Sequence, residues 1–213
     1  MLFAMIERCR RLRISRAVLS FTAALAMLGA WSATPSAVLR AESGPSFRLV
    51  DQHLRAVDEK QLSQKPTVLH FGFTHCPVIC PTTMFEVAER MRELGPLADA
   101  IQFVFVTVDP ERDSPEYLRQ YVSSFDDRII GLSGDARDIK TLADGLGATF
   151  SRQPLKEGGY TIDHTIFAYL MAPGWTKAGV LYMGTGARSD KVLSTLKALT
   201  VLPDRRVSEA TKK

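Results

Sequence analysis

Apolar positions recur along the chain with two periods, and the switches between them mark the elements. Residues 67–73 (TVLHFGF) form a compact β-branched and aromatic run, the pattern of a strand buried in a sheet. Pro81 suits a first helical turn; Met84, Val87, Ala88, Met91 and Leu94 then recur at helical spacing until Gly95-Pro96. Residues 101–108 (IQFVFVTV) are the most strand-like run of all, and end in Asp109-Pro110. Ser114, Pro115 and Glu116 open a second helix to about Phe125, a short strand is expected over 129–132, and Asp135 opens a third helix over 136–146. Residues 147–164 read as a polar, glycine-containing loop. Two strands, 165–171 and 180–183, follow around Pro173-Gly174, and a helix over 189–202 closes the series. Ahead of all these, 47–50 and 54–57 read as short strands about the turn at Asp51-Gln52, a hairpin appended to the N-terminal side.

Strand, helix, strand, helix, then a hairpin and a helix imply an α/β domain whose mixed central sheet is flanked by helices, with an N-terminal β-hairpin extension. The order resembles that of thioredoxin. No internal repeat, low-complexity tract or glycine-rich phosphate loop is present. With 213 residues, 46% hydrophobic and 23% charged, the chain suits one domain and a short appendage. We expect an N-terminal signal or anchor over 1–41, the domain over 42–203 and a polar tail over 204–213.

Charge changes the picture only at the start. Arg8, Arg10, Arg11, Arg13 and Arg16 against Glu7 account for the whole net charge of +4, so the rest of the chain is neutral. A neutral domain lacks the clustered cations that a phosphate backbone requires, which argues against a nucleic-acid partner. The arginines lead into an apolar stretch over 17–33 and a small-residue exit over 32–37, the pattern of an export signal or, uncleaved, of a membrane anchor. That length lies at the lower limit for crossing ~30 Å of hydrocarbon, so retention and cleavage both stay open. Either way residues from Glu42 onward are expected on the exported side, the periplasm of a bacterium ahead of a mitochondrial compartment. Cys9 precedes the apolar stretch and is no lipoprotein cysteine.

Only Cys76 and Cys80 remain in the exported part. In residues 73–81 (FTHCPVICP) they straddle the passage from a buried strand into a helix, where free amides and the helix dipole favour thiolates. Two cysteines do not staple a fold of this size; a redox couple or a soft-metal site is the better reading. Three intervening residues set both sulfurs at helical i and i+4, able to clasp one ion. Zinc or iron–sulfur sites of four ligands would need more cysteines, and one histidine added to two thiolates suits copper.

Three segments taken together carry a resemblance: residues 72–81 (GFTHCPVICP), 107–115 (TVDPERDSP) and 160–165 (YTIDHT). They resemble the Sco/SenC family of copper proteins, thioredoxin-like proteins involved in assembling the copper-A centre of cytochrome c oxidase, over about residues 44–200. The resemblance implies metal ligation by Cys76, Cys80 and His164, one copper per chain as Cu(I) or Cu(II), and a Cys76–Cys80 pair that can close into a disulfide. It also implies the copper-A subunit of the oxidase as partner, with other copper chaperones or thiol reductants, and the membrane through the N-terminal segment. Family members usually carry Asp-Val between the cysteines; Val78-Ile79 makes this loop more apolar.

The same sulfurs also suit a thiol–disulfide oxidoreductase acting on oxidase cysteines, or a copper or redox sensor. Thioredoxin-type reductases carry a proline before the strand where this chain has Asp163-His164, which favours metal. The pattern around a peroxiredoxin's attacking cysteine is missing from residues 74–81. Among the remaining candidates, His75 is read as a neighbour of the ligands or solvated, His70 as packing and His53 as surface. Met84 is read as core, and Asp109 and Asp113 as loop-ordering residues near the metal.

Overall fold

The computed structural model describes residues 43–183 and 189–202. Nine strands and five α-helices occur among them: β1 (Arg48–Asp51), β2 (Ala56–Asp58), α1 (Glu59–Leu62), β3 (Thr67–Gly72), α2 (Ile79–Leu94), β4 (Gln102–Thr107), α3 (Pro115–Ser123), β5 (Ile130–Ser133), α4 (Ala136–Leu146), β6 (Phe150–Pro154), β7 (Tyr160–His164), β8 (Ala168–Ala172), β9 (Thr176–Leu181) and α5 (Ser189–Thr200). The main sheet runs β2-β1-β5-β4-β3-β8-β9. Its centre is parallel, β3 with β4 and β4 with β5, while β1 joins β5 and β8 joins β3 antiparallel. This is the mixed sheet flanked by helices that the element order implies.

Every residue of β3 is buried, as a central strand covered on both faces requires. Its side chains alternate. Leu69, Phe71 and Phe73 join Val104, Val106 and the α4 residues Ile139, Leu142 and Leu146 on one face. Val68 joins Phe103, Phe105, Leu118 and Val122 of α3, Met84, Val87 and Met91 of α2, and Leu196 of α5 on the other. Each such fully buried Leu, Phe or Met contributes about 1.5–3 kcal/mol of transfer free energy. Gly72 ends the strand because a side chain would not fit: a Cβ there would stand 2.6 Å from Phe105 Cε2 and 3.1 Å from Cys80 Sγ.

Several elements differ from the sequence reading, each for a local reason. The N-terminal hairpin forms as expected, and the pairing of β1 with β5 adds it to the main sheet. The short α1 is set by a capping box in which Asp58 accepts from the Lys60 and Gln61 amides while the Gln61 side chain returns to the Asp58 amide. A 3₁₀ turn, Gly95–Ala100, continues from α2 past Gly95-Pro96. The stretch 147–164 is no loop: it holds the antiparallel pair β6–β7. Strand β6 is largely exposed and polar, so no alternation announces it. Its tight turn uses Gly158 and Gly159, at φ 91° and 77°, where a side chain would be strained. Residues 165–167 precede β8 and lie outside it, and β9 begins at Thr176, a mixed run too polar to stand out. Among the described residues no helix is long and apolar enough to cross a membrane, and the segment over 17–33 lies outside them.

Candidate metal centre

Helix α2 begins one residue before Cys80, and its N-cap, Val78, supplies no side-chain acceptor. Cys76 fills that role: its Sγ accepts from the Cys80 amide at 3.4 Å, so the sulfur sits where free amides and the helix dipole stabilise negative charge. The turn is pinned by the Cys76 amide donating to the Phe73 carbonyl at 3.3 Å. Cys80 is fully buried, Cys76 partly, and both are free cysteines. The hydrogen bond from the Cys80 side chain, helped by the Cys80 and Val78 amides, outweighs burial and draws Cys76 down to about 3. The same bond, together with burial, pushes the Cys80 thiol up. Within the pair the negative charge therefore favours Cys76 and the proton Cys80.

His164 ends β7, on the hairpin absent from the sequence reading, and its Nε2 stands 3.3 Å from Cys80 Sγ. Its Nδ1 lies 3.0 Å from the Thr165 carbonyl oxygen. A carbonyl only accepts, so the proton belongs on Nδ1, and the lone pair of Nε2 faces the cysteines. The acceptor that fixes the tautomer is therefore the Thr165 backbone, and Asp163 plays no part in it. Phe73 meets the His164 ring edge-on at 5.9 Å between centroids.

The three expected donors are thus brought together, although among the described residues no three His, Cys, Asp or Glu side chains form a preassembled metal-holding group. The donor chemistry fits a soft ion: one thiolate in place, one thiol that loses its proton on binding, and one imidazole lone pair aimed at them. Cys76 and His164 line an open groove with Val78, Ile79 and Ile166, whose apolar side chains are exposed at its mouth, while Cys80 lies buried beneath it.

Asp113 is completely buried and accepts from the Thr74 amide (2.9 Å), the Thr74 hydroxyl (2.6 Å) and the Thr107 hydroxyl (2.6 Å), tying the residues before Cys76 to the end of β4. His75 stacks on Tyr117 and lies near Thr74 and Asp113. Asp109, also buried, accepts from the Tyr160 hydroxyl at 2.8 Å and from Arg112 Nε. Arg112 lies 3.9 Å over the Tyr160 ring and donates to the Tyr160 carbonyl at 3.2 Å, while Arg152 lies 4.5 Å from the same ring. This cluster clamps the β6–β7 hairpin, and with it His164, to the loop after β4. The role of Asp109 and Asp113 is thus to order loops, as expected. Thr74, Arg112, Arg152 and Tyr160 were missed; all but Arg152 lie in the three segments that carried the resemblance, which was the available signal. Met84 is core, and His70 is buried beside the site.

A family model described as SCO1/SenC matches residues 36–200. The chain belongs to the SCO1/SenC family. Among solved structures it is similar to Bradyrhizobium japonicum ScoI with copper bound (38% identity, TM-score 0.68, 74% of this chain and 99% of that one). It is also similar to yeast Sco1 with copper bound (30% identity, TM-score 0.67, 78% and 94%). Among curated relatives, the mitochondrial protein SCO1 homolog 1 of Arabidopsis thaliana is 37% identical over 140 residues, 65% of this chain and 42% of that protein. The SCO2-like protein RP587 of Rickettsia prowazekii is 35% identical over 130 residues, 60% of this chain and 63% of that one. The matched segment therefore spans less than two thirds of either relative. The thioredoxin-like fold expected from the element order is the fold of these SCO1/SenC structures.

Proposed function

We propose that this SCO1/SenC chain is a metallochaperone that holds one copper ion, as Cu(I) or Cu(II), through Cys76, Cys80 and His164 and delivers it for assembly of the copper-A centre of cytochrome c oxidase. The observation that carries the reading is the 3.3 Å approach of His164 Nε2 to Cys80 Sγ, beside the Cys76 sulfur that accepts from the Cys80 amide at the start of α2. Two of the related structures, at 38% and 30% identity, have copper bound. Binding releases one proton: the ion replaces the hydrogen on Cys80, giving two thiolates and a neutral imidazole. Delivery is then ligand exchange toward acceptor thiolates and imidazoles, with no change in the protein's own redox state. The exposed Val78, Ile79 and Ile166 around the groove offer the apolar contact such an exchange needs. Residues 1–41 would export or tether the domain, and 204–213 would form a polar tail; the exported side of a bacterial inner membrane is the compartment we favour.

A second reading is supported by the asymmetry of the sulfurs. A thiolate on the more accessible Cys76 attacks a substrate disulfide; Cys80, once deprotonated, resolves the mixed disulfide, leaving a Cys76–Cys80 disulfide and a reduced substrate. An external thiol reductant must then restore the pair. Copper titration of the reduced protein, with metal analysis and absorption spectra, alongside an insulin-reduction assay, separates the two. One copper per chain and slow insulin reduction are expected; rapid insulin reduction without copper uptake would sink the chaperone reading.

A further inference from the structure

The sheet face covered by α2 carries a side chain that the three-donor site does not use. His70 on β3 is 3% exposed, and its ring nitrogens make no well-formed hydrogen bond, the Phe167 backbone alone lying near enough to act on the ring. A buried polar group without full partners is costly, and an apolar residue at the same strand position would avoid that cost. The ring lines a cavity of about 10 Å³ with Thr83, Met84 and Met183, room for one small occupant at most. It also meets the His164 ring edge-on, with centroids 6.0 Å apart and planes at 73°. Gly72, two residues on and on the same face of β3, is the point over which Cys80 Sγ sits, so His70 lies next in line beneath the cysteine.

Resting on the copper reading, we propose that His70 is a second imidazole donor to the copper ion held by Cys76, Cys80 and His164. Two imidazoles bonded to one ion at about 2.0 Å place their ring centres roughly 5–6 Å apart, depending on the angle at the metal. The observed 6.0 Å lies at the open end of that range. Charge agrees as well. Two thiolates already neutralise Cu(II), so the fourth donor of a buried site is best uncharged, and an imidazole is. Cu(I), content with fewer donors, leaves His70 free. The residue therefore favours the oxidised ion, and gives a buried imidazole with at most one backbone partner a use that packing alone does not.

Pulsed electron paramagnetic resonance on the Cu(II)-loaded full chain counts bound imidazoles through their remote nitrogens. The chain has four histidines, so a His53→Gln/His75→Gln double variant retains only His70 and His164 without touching the core. Two imidazole couplings are expected in the wild type and in that variant, falling to one in His70→Leu with the copper content unchanged. A single coupling in the double variant, or two that survive in His70→Leu, overturns the assignment; a water in the cavity as sole partner of His70 gives the first of these. The double variant decides the count even if His70→Leu fails to fold. A wild type that takes up no copper defeats the copper reading itself, and this inference with it.

Discussion

His164 Nε2 and Cys80 Sγ stand 3.3 Å apart although 84 residues separate them in the chain. The sheet supplies the reason. Antiparallel pairing of β3 with β8 sets His70 opposite Ala168, so the segment entering β8 runs past the end of β3 where α2 starts. The β6–β7 hairpin then holds His164 from the other side, fastened by Tyr160, Arg112 and Asp109. Cys80 is fixed by the helix and His164 by a separate clamp, so either donor can be altered without moving the other.

The split between the sulfurs predicts unequal reactivity. Cys76 carries the thiolate and Cys80 the retained proton in a buried position. Iodoacetamide should alkylate Cys76 in preference to Cys80, and the labelling should persist at pH 5, where a free thiol is almost wholly protonated. Peptide mapping after short exposure reads the result; equal labelling, or loss of Cys76 labelling below pH 7, would contradict the assignment.

Asp113 should matter to stability out of proportion to its distance from the sulfurs. Its buried carboxylate receives the Thr74 amide, the Thr74 hydroxyl and the Thr107 hydroxyl. In Asp113→Ala these donors lose their acceptor, and a loss of about 2–4 kcal/mol in urea unfolding is expected. A change below ~0.5 kcal/mol would show that the network is dispensable.

Much of this was legible before the structure. The buried strands β3 and β4 and the helix α4 announce themselves because burial on both faces, or a clean apolar stripe with an Asp135 cap, leaves one pattern open to them. The candidate donors Cys76, Cys80 and His164 were legible as residues, and so was their meeting once 67–73 and 165–171 are taken as neighbouring strands; what was not legible is the hairpin that carries His164. The hairpin carrying His164 has an exposed, polar first strand, and what holds it is a cation–π and hydrogen-bond cluster about Tyr160 that has no period to detect. The hairpin β1–β2 was visible, yet its pairing to β5 was not, since edge strands of three and four residues do not encode their neighbour. His70 reads as packing because nothing in a strand pattern reveals that a buried ring makes no well-formed hydrogen bond.

That ring makes the metal-free protein acid-sensitive. Burial first, and the nearby His164 second, lower His70 from 6.5 to about 4, so it stays neutral in the folded state while the unfolded chain takes up a proton. The unfolded state then binds more protons between those values, and stability is lost as pH falls from about 6.5 toward 4, by up to about 3 kcal/mol. Above pH 7 the term is absent. Urea unfolding of the metal-free protein across this window should show the decline, and His70→Leu should flatten it; an equal slope in the variant would assign the acid loss to other groups.

Replacing His164 separates a ligand from a packing residue. The ring is only partly buried, contacts Phe73 and His70 edge-on, and makes two polar contacts, to Cys80 and to the Thr165 carbonyl. Truncation in His164→Ala therefore removes little buried area, and water can reach the exposed groove to satisfy the carbonyl, so the metal-free domain should lose about 1 kcal/mol or less. Copper should respond differently in its two states. The Cys76 and Cys80 sulfurs remain, and two thiolates suffice for Cu(I), whose binding should survive in weakened form. Cu(II) prefers tetragonal coordination with nitrogen donors, so its affinity should fall much further, and the absorption bands of the oxidised complex should shift or vanish. A competition titration with a Cu(I) chelator and a Cu(II) chelator in parallel reads both effects. A variant that keeps wild-type Cu(II) affinity and spectrum while losing several kcal/mol of metal-free stability would show that His164 packs the fold and binds no metal.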